Sequence, residues 1–140
     1  MEQSDPVRRV VAAWYDAWNA HDATAIAALI DPEFTGVDVA DPQPQSGMAS
    51  VAATFARYLT AFPDFSVRPK ETVVDGDRAA LYWEASGTHR GEFLLIPPTG
   101  KFVTVDGSSL LTIRDGRILQ ARHIWDLAGV LRTLRLLPIL

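Results

Sequence analysis

Asp126 closes the run Arg122-His123-Ile124-Trp125-Asp126. A carboxylate beside an indole loses water, which raises its pKa and suits it to take and return a proton near neutral pH. The same residue stands directly before Leu127-Ala128-Gly129-Val130, a helical pattern in which Asp is a favoured N-cap. One carboxylate oxygen could serve each role. His123, two residues before Trp125, shares its face of an extended strand and could tune or relay to Asp126. His89, in Gly87-Thr88-His89-Arg90-Gly91, is the next candidate, because the flanking glycines allow a bulge or a close backbone approach. Asp38 and Asp41 lie where an early strand runs out. Asp38 shares a face with Phe34, and Asp41 before Pro42 suits an Asx turn. Trp14, Tyr15 and Trp18 lie on or near the apolar face of a first helix, and a buried Tyr15 hydroxyl would need a partner.

Several chemistries lack their motifs. Gly107, Gly116 and Gly129 are isolated, so no glycine-rich phosphate loop is present. Gly107-Ser108-Ser109-Leu110 is a strand stretch and not a nucleophile elbow. Three scattered histidines, His21, His89 and His123, carry no zinc-ligand spacing. A site without metal or cofactor is the simplest expectation.

These residues need elements to position them. Asp5 suits a cap and Pro6 a first helical turn, and Val7, Val10, Val11, Trp14 and Trp18 follow at helical spacing. Asp22 can cap a second helix carrying Ile26, Leu29 and Ile30. A short strand is expected over Glu33 to Val39, and Ser46 can cap a third helix with Val51, Phe55, Tyr58, Leu59 and Phe62 on one face. Strands over Val67 to Val74 and Arg78 to Thr88 flank the turn Asp75-Gly76-Asp77. Strands over Lys101 to Ile113 and Arg117 to Trp125 flank Arg114-Asp115-Gly116. Leu127, Val130, Leu131 and Leu134 predict a closing helix. The order α-α-β-α-β-β-β-β-α predicts one α+β domain over residues 1–140, with a curved antiparallel sheet closed by helices into a cone. Four Trp, three Tyr and six Phe make an internal pocket lined by rings plausible.

Composition narrows the class. The chain has 140 residues, 48% hydrophobic and 21% charged, enough for one core and too apolar for disorder. The absence of cysteine excludes a thiolate nucleophile and a disulfide scaffold, and it fits the cytoplasm. The acidic start Met1-Glu2-Gln3-Ser4-Asp5 is unlike a signal peptide. A net charge of −4 gives no footprint for nucleic acid, and no apolar run is long enough for a membrane span.

Four segments resemble a known family. Gly87-Thr88-His89-Arg90-Gly91-Glu92-Phe93 with Pro97-Pro98-Thr99-Gly100-Lys101 resembles the central signature of SnoaL-like polyketide cyclases. Asp115-Gly116-Arg117-Ile118 followed by Trp125-Asp126 is similar to that family's last hairpin. Leu131 to Pro138 resembles its closing stretch, with Thr133 and Arg135 departing from it. Trp14-x-x-x-Trp18-Asn19-x-His21-Asp22 is similar to the opening of the wider NTF2-like superfamily.

The resemblance implies a cone-shaped sheet around a pocket, a homodimer or homotetramer, and a hydrophobic small-molecule substrate. It implies aldol closure of a polyketide ring without cofactor, with Asp126 as the general acid/base at the end of the last strand. The position opposite, often His or Asp in the family, is here Ser109 or a close neighbour. The catalytic expectation is therefore Asp126 with His123. The expected substrate-binding set is Trp14, Tyr15, Trp18, Asp41, Phe55, Tyr58, His89, Ser109 and Trp125. Two alternatives remain: a ligand-binding module without turnover, and proton transfer like that of ketosteroid isomerases. In the latter, Asp41 before Pro42 would be the base, but Trp14 and Ser109 replace the oxyanion pair.

Overall fold

The computed structural model describes residues 5–138. The first helix, α1 (Asp5–Asn19), exists because its apolar residues recur every three or four positions. Val7, Val10, Val11 and Trp14 are buried as expected, and Tyr15 and Ala17 join them. Helix α2 (Ala23–Ala28) is capped by Asp22, whose carboxylate accepts from Ala25 N–H. Strand β1 (Ile30–Asp38) and the two-residue β2 (Gln45–Ser46) lead into α3 (Gly47–Ala61). Ser46 precedes α3 without a side-chain cap; the Ser50 hydroxyl accepts from Ser46 N–H instead.

Strands β3 (Ser66–Asp75), β4 (Arg78–Thr88), β5 (Phe102–Arg114) and β6 (Arg117–Trp125) follow, and α4 (Leu127–Thr133) closes the chain. The α+β class and both long hairpins are as the sequence predicts. The capping expected of Asp5 concerns a side chain outside the described set.

The sheet has six strands in the order β2-β1-β6-β5-β4-β3. It is not wholly antiparallel, because β1 pairs parallel to β6. That pairing needs the long crossover through α3 and the two hairpins, which hydrophobic periodicity does not reveal. Register shifts at Ile30/Thr35, Pro69/Glu71 and Thr112/Ile113 bend the strands. One face therefore curves around the helices. In β4 the residues Ala79, Leu81, Trp83 and Ala85 are buried inside that curve, while Tyr82 points to the outer face. The Asn19 side chain fastens α1 to the sheet, donating to Val67 C=O at 2.9 Å and accepting from Val67 N–H at 2.7 Å. No helix among the described residues is long and apolar enough to cross a membrane.

Candidate active site

The inside of the curve holds a cavity of about 120 Å³. Most of its wall is apolar. Trp14 and Trp18 come from α1, Phe62 and Phe65 from the end of α3 and the turn after it, Trp83 from β4 and Phe93 from the loop after β4. Polar side chains are concentrated on one wall, where Asp38, Gln45, Thr54, Tyr58, His123 and Trp125 face the same space.

Strand pairing assembles this wall. Asp38 on β1 lies beside His123 on β6, and His123 lies beside Ser109 on β5. Residues in register on neighbouring strands point to one face, so the three side chains form a row. Asp38 is buried and accepts three hydrogen bonds. Tyr58 O–H donates at 2.9 Å, Trp125 Nε1–H at 3.0 Å and the Ala40 N–H at 3.0 Å. These donors hold the carboxylate in place, and Asp38 is among the residues that line the cavity. Burial and the adjacent Asp38 charge push the Tyr58 phenol well above its ordinary range, so Tyr58 stays a hydrogen-bond donor.

His123 stacks on Trp14 at 6.0 Å between ring centroids, and its Nδ1 lies 2.7 Å from Ser109 Oγ. Loss of solvation pushes the imidazole below its ordinary value, opposed only in part by the Asp38 charge. Behind it, Trp83 Nε1–H donates to the same Ser109 oxygen at 3.0 Å. Gly107, opposite Trp83 on β5, makes that reach possible, since a Cβ there would clash with the six-membered ring of Trp83.

The sequence profile of SnoaL-like polyketide cyclases matches residues 8–134. The chain belongs to the SnoaL-like polyketide cyclase family. Solved structures agree with the family's fold. A proposed SnoaL-like polyketide cyclase from Jannaschia sp. superposes with a TM-score of 0.86 at 24% identity, over 95% of this chain and 94% of that one. IdmH of Streptomyces antibioticus, a proposed polyketide cyclase, gives 0.79 at 27% identity, over 94% and 99%. AclR of Streptomyces galilaeus, a proposed hydroxylase, gives 0.84 at 26% identity, over 95% and 87%. No curated protein sequence matches the chain significantly. Neighbours of similar closeness thus carry different proposed chemistries, and the family fixes the scaffold more firmly than the reaction.

The structure divides the residues that family resemblance and sequence pattern single out. Trp14, Trp18, Tyr58, His123 and Trp125 line the cavity. Ser109 is fully buried one layer behind, against His123. Phe55 packs in the core against Trp18 and is not among the cavity-lining residues. Tyr15 is also core; its hydroxyl has no partner among the described residues, and burial pushes it up to about 12.

Asp41 lies outside the cavity wall, paired with Arg57 at 3.1 Å. The Gln43 N–H and that guanidinium hold it below the usual carboxylate range. His89 is fully buried and fastens the loop after β4, its Nδ1 accepting from Thr99 N–H at 3.2 Å.

The placement of Asp126 corrects the expectation built on it. Its carboxylate is exposed and caps α4, accepting from Gly129 N–H at 2.9 Å. It is absent from the cavity wall, and Gly129 leaves the space that the cap occupies. The reason is strand parity. Trp125 points inward, so the next residue is turned away from the cavity.

The expected binding set omits four polar residues of the wall, Asp38, Gln45, Thr54 and Ser86. For Asp38 the signal is in the sequence: it stands four residues after Phe34 on the inward parity of β1. Gln45 and Thr54 give no comparable signal. They come together only through packing, where Gln45 Nε2 donates to Thr54 Oγ1 at 2.9 Å.

Proposed function

We propose that the chain is a cyclase that closes a polyketide-like, polycarbonyl substrate by intramolecular aldol condensation, with Asp38 as the general base. The observation that supports this reading is a buried carboxylate, held by three donors, facing an apolar cavity beside an imidazole. Asp38 takes a proton from a carbon flanked by two carbonyls, and the C–H electron pair becomes an enolate. The enolate carbon bonds to a second carbonyl carbon, whose π electrons move to its oxygen. The protonated Asp38 then returns the proton to that alkoxide. The C–H of a polycarbonyl chain is already acidic, so one positioned carboxylate can suffice.

The ring-lined walls favour a hydrophobic substrate folded with its reacting carbons close together, which supplies the orientation part of the rate. Tyr58 and Trp125 keep Asp38 in one rotamer. The isomerase-like reading loses its proposed base, since Asp41 is engaged by Arg57 away from the wall. The ligand-binding reading keeps one point in its favour, the placement of Asp126 on the outside.

One experiment separates cyclase from binder. Polyketide-like polycarbonyl compounds are incubated with the chain, and product is followed by mass spectrometry alongside quenching of tryptophan fluorescence. A cyclase turns over at least one compound, and Asp38→Asn abolishes most of that turnover while still binding. Quenching without product across the panel identifies a binding module, and full activity in Asp38→Asn removes the base from this scheme.

A further inference from the structure

We infer that Ser109 and Trp83 fix the tautomer of His123, so that its ring meets a ligand as an Nε2–H donor and binds a carbonyl or enolate oxygen. The inference rests on the reading of the cavity as a proton-transfer site and assigns the second polar group in it.

A proton count carries the argument. Ser109 Oγ has one proton and two acceptor positions. The residue is fully buried, and its hydroxyl has two partners among the described residues, Trp83 Nε1 at 3.0 Å and His123 Nδ1 at 2.7 Å. An indole N–H can only donate, so Trp83 occupies one acceptor position of the oxygen. If His123 Nδ1 also carried a proton, Ser109 would accept twice and its own proton would have no acceptor in a buried place. Native interiors avoid that arrangement. The hydroxyl must therefore donate to Nδ1, which is then an acceptor, and the proton of the neutral ring sits on Nε2. Burial of the ring favours the neutral form that this count assumes.

Nδ1 is engaged with the sheet, so Nε2 is the polar atom left on a ring that lines the cavity. Asp38, the adjacent row member, is an acceptor when ionised. The wall thus offers one acceptor and one donor on neighbouring strands. A β-dicarbonyl unit matches this pair, with its acidic C–H toward Asp38 and a carbonyl oxygen toward His123. As charge moves onto that oxygen, the Nε2–H bond to it strengthens, which lowers the barrier without His123 changing its protonation state. Ser109 and Trp83 are positioning residues in this scheme. Gly107 belongs with them, since it gives the Trp83 ring its place.

The chain has three histidines, so the test is direct. Protein labelled with ¹⁵N-histidine is examined by long-range ¹H–¹⁵N NMR near neutral pH without ligand, and His123 signals are identified by their loss in His123→Gln. The expected spectrum has His123 neutral, with Nδ1 unprotonated and the proton on Nε2. In Ser109→Ala the His123 Nδ1 resonance moves, because its donor is gone, while the signals of His21 and His89 stay in place. A proton on Nδ1, or on both nitrogens, in the unmodified chain overturns the inference, as does a His123 Nδ1 resonance indifferent to Ser109→Ala. If Ser109→Ala does not fold, the spectrum of the unmodified chain decides alone. No substrate is involved, so this result is independent of the turnover assay with Asp38→Asn.

Discussion

Two aspartates end two adjacent strands of this sheet, and they do opposite things. Asp38 ends β1 with its carboxylate buried at the cavity wall, accepting from Tyr58, Trp125 and the Ala40 N–H. Asp126 follows β6 with its carboxylate exposed, accepting from the first turn of α4. The composition of the neighbourhood does not separate them, since each is associated with Trp125, one by hydrogen bond and one by sequence. Parity does. Asp38 is in step with Phe34 and Gly36, whose positions on β1 are also buried. Asp126 is one step out of phase with Trp125. An aromatic neighbour in sequence along a strand therefore argues against desolvation of the next side chain, because the two point to opposite faces.

The largest expected effect tests this contrast directly. Asp38→Asn should lower turnover by roughly 100- to 10,000-fold, the range for losing a positioned acid/base group, whereas Asp126→Asn should leave it unchanged. Equal losses from both, measured as kcat on the same substrate, would erase the distinction between the two sites.

The next effect concerns the support behind the cavity wall. Gly107→Ala drives a methyl group against the Trp83 ring and should cost about 1–3 kcal/mol, as overpacking of a tight interior does. Urea denaturation reads this, and a variant as stable as the parent would show that Trp83 does not depend on that gap.

At the outer aspartate the expected change is smaller. Asp126→Ala removes the α4 cap and should cost about 1 kcal/mol, while Asp126→Asn, also a good cap, should cost less. A large loss for Asn would mean that the carboxylate has a role other than capping.

The smallest effect is spread over pH. Burial pushes His89 and His123 below the ordinary histidine value of 6.5, so the folded chain binds these protons less readily than the unfolded chain. Their contribution to stability is complete above that value and declines as pH falls from it toward the folded-state values. Asp31, Asp64 and Asp106 are held below the carboxylate value of 3.8 by their partners, so their contribution is lost only at lower pH. Urea midpoints should therefore begin to fall as pH drops below about 6.5, well before the carboxylates protonate. A profile that stays flat until the carboxylate range would mean that these rings protonate without cost to the fold.

The sequence by itself determined the α+β class, the two hairpins at Asp75-Gly76-Asp77 and Arg114-Asp115-Gly116, the buried face of α1 and the family. Each of these rests on local signals: a period of two or of three to four, a turn dipeptide, or a conspicuous motif. Tertiary structure decided the parallel pairing of β1 with β6, and through it the row of Asp38, His123 and Ser109. Ser109 and His123 share the hairpin that the turn at Arg114-Asp115-Gly116 announces, but Asp38 is far from both in the chain, and no local pattern states that β1 lies beside β6. The inward parity of Asp38 was legible, but its three donors come from β6, α3 and the chain just after β1, and only their packing sets them around one carboxylate. A strand's own sequence determines which of its side chains share a face, while the pairing of strands determines which groups meet there.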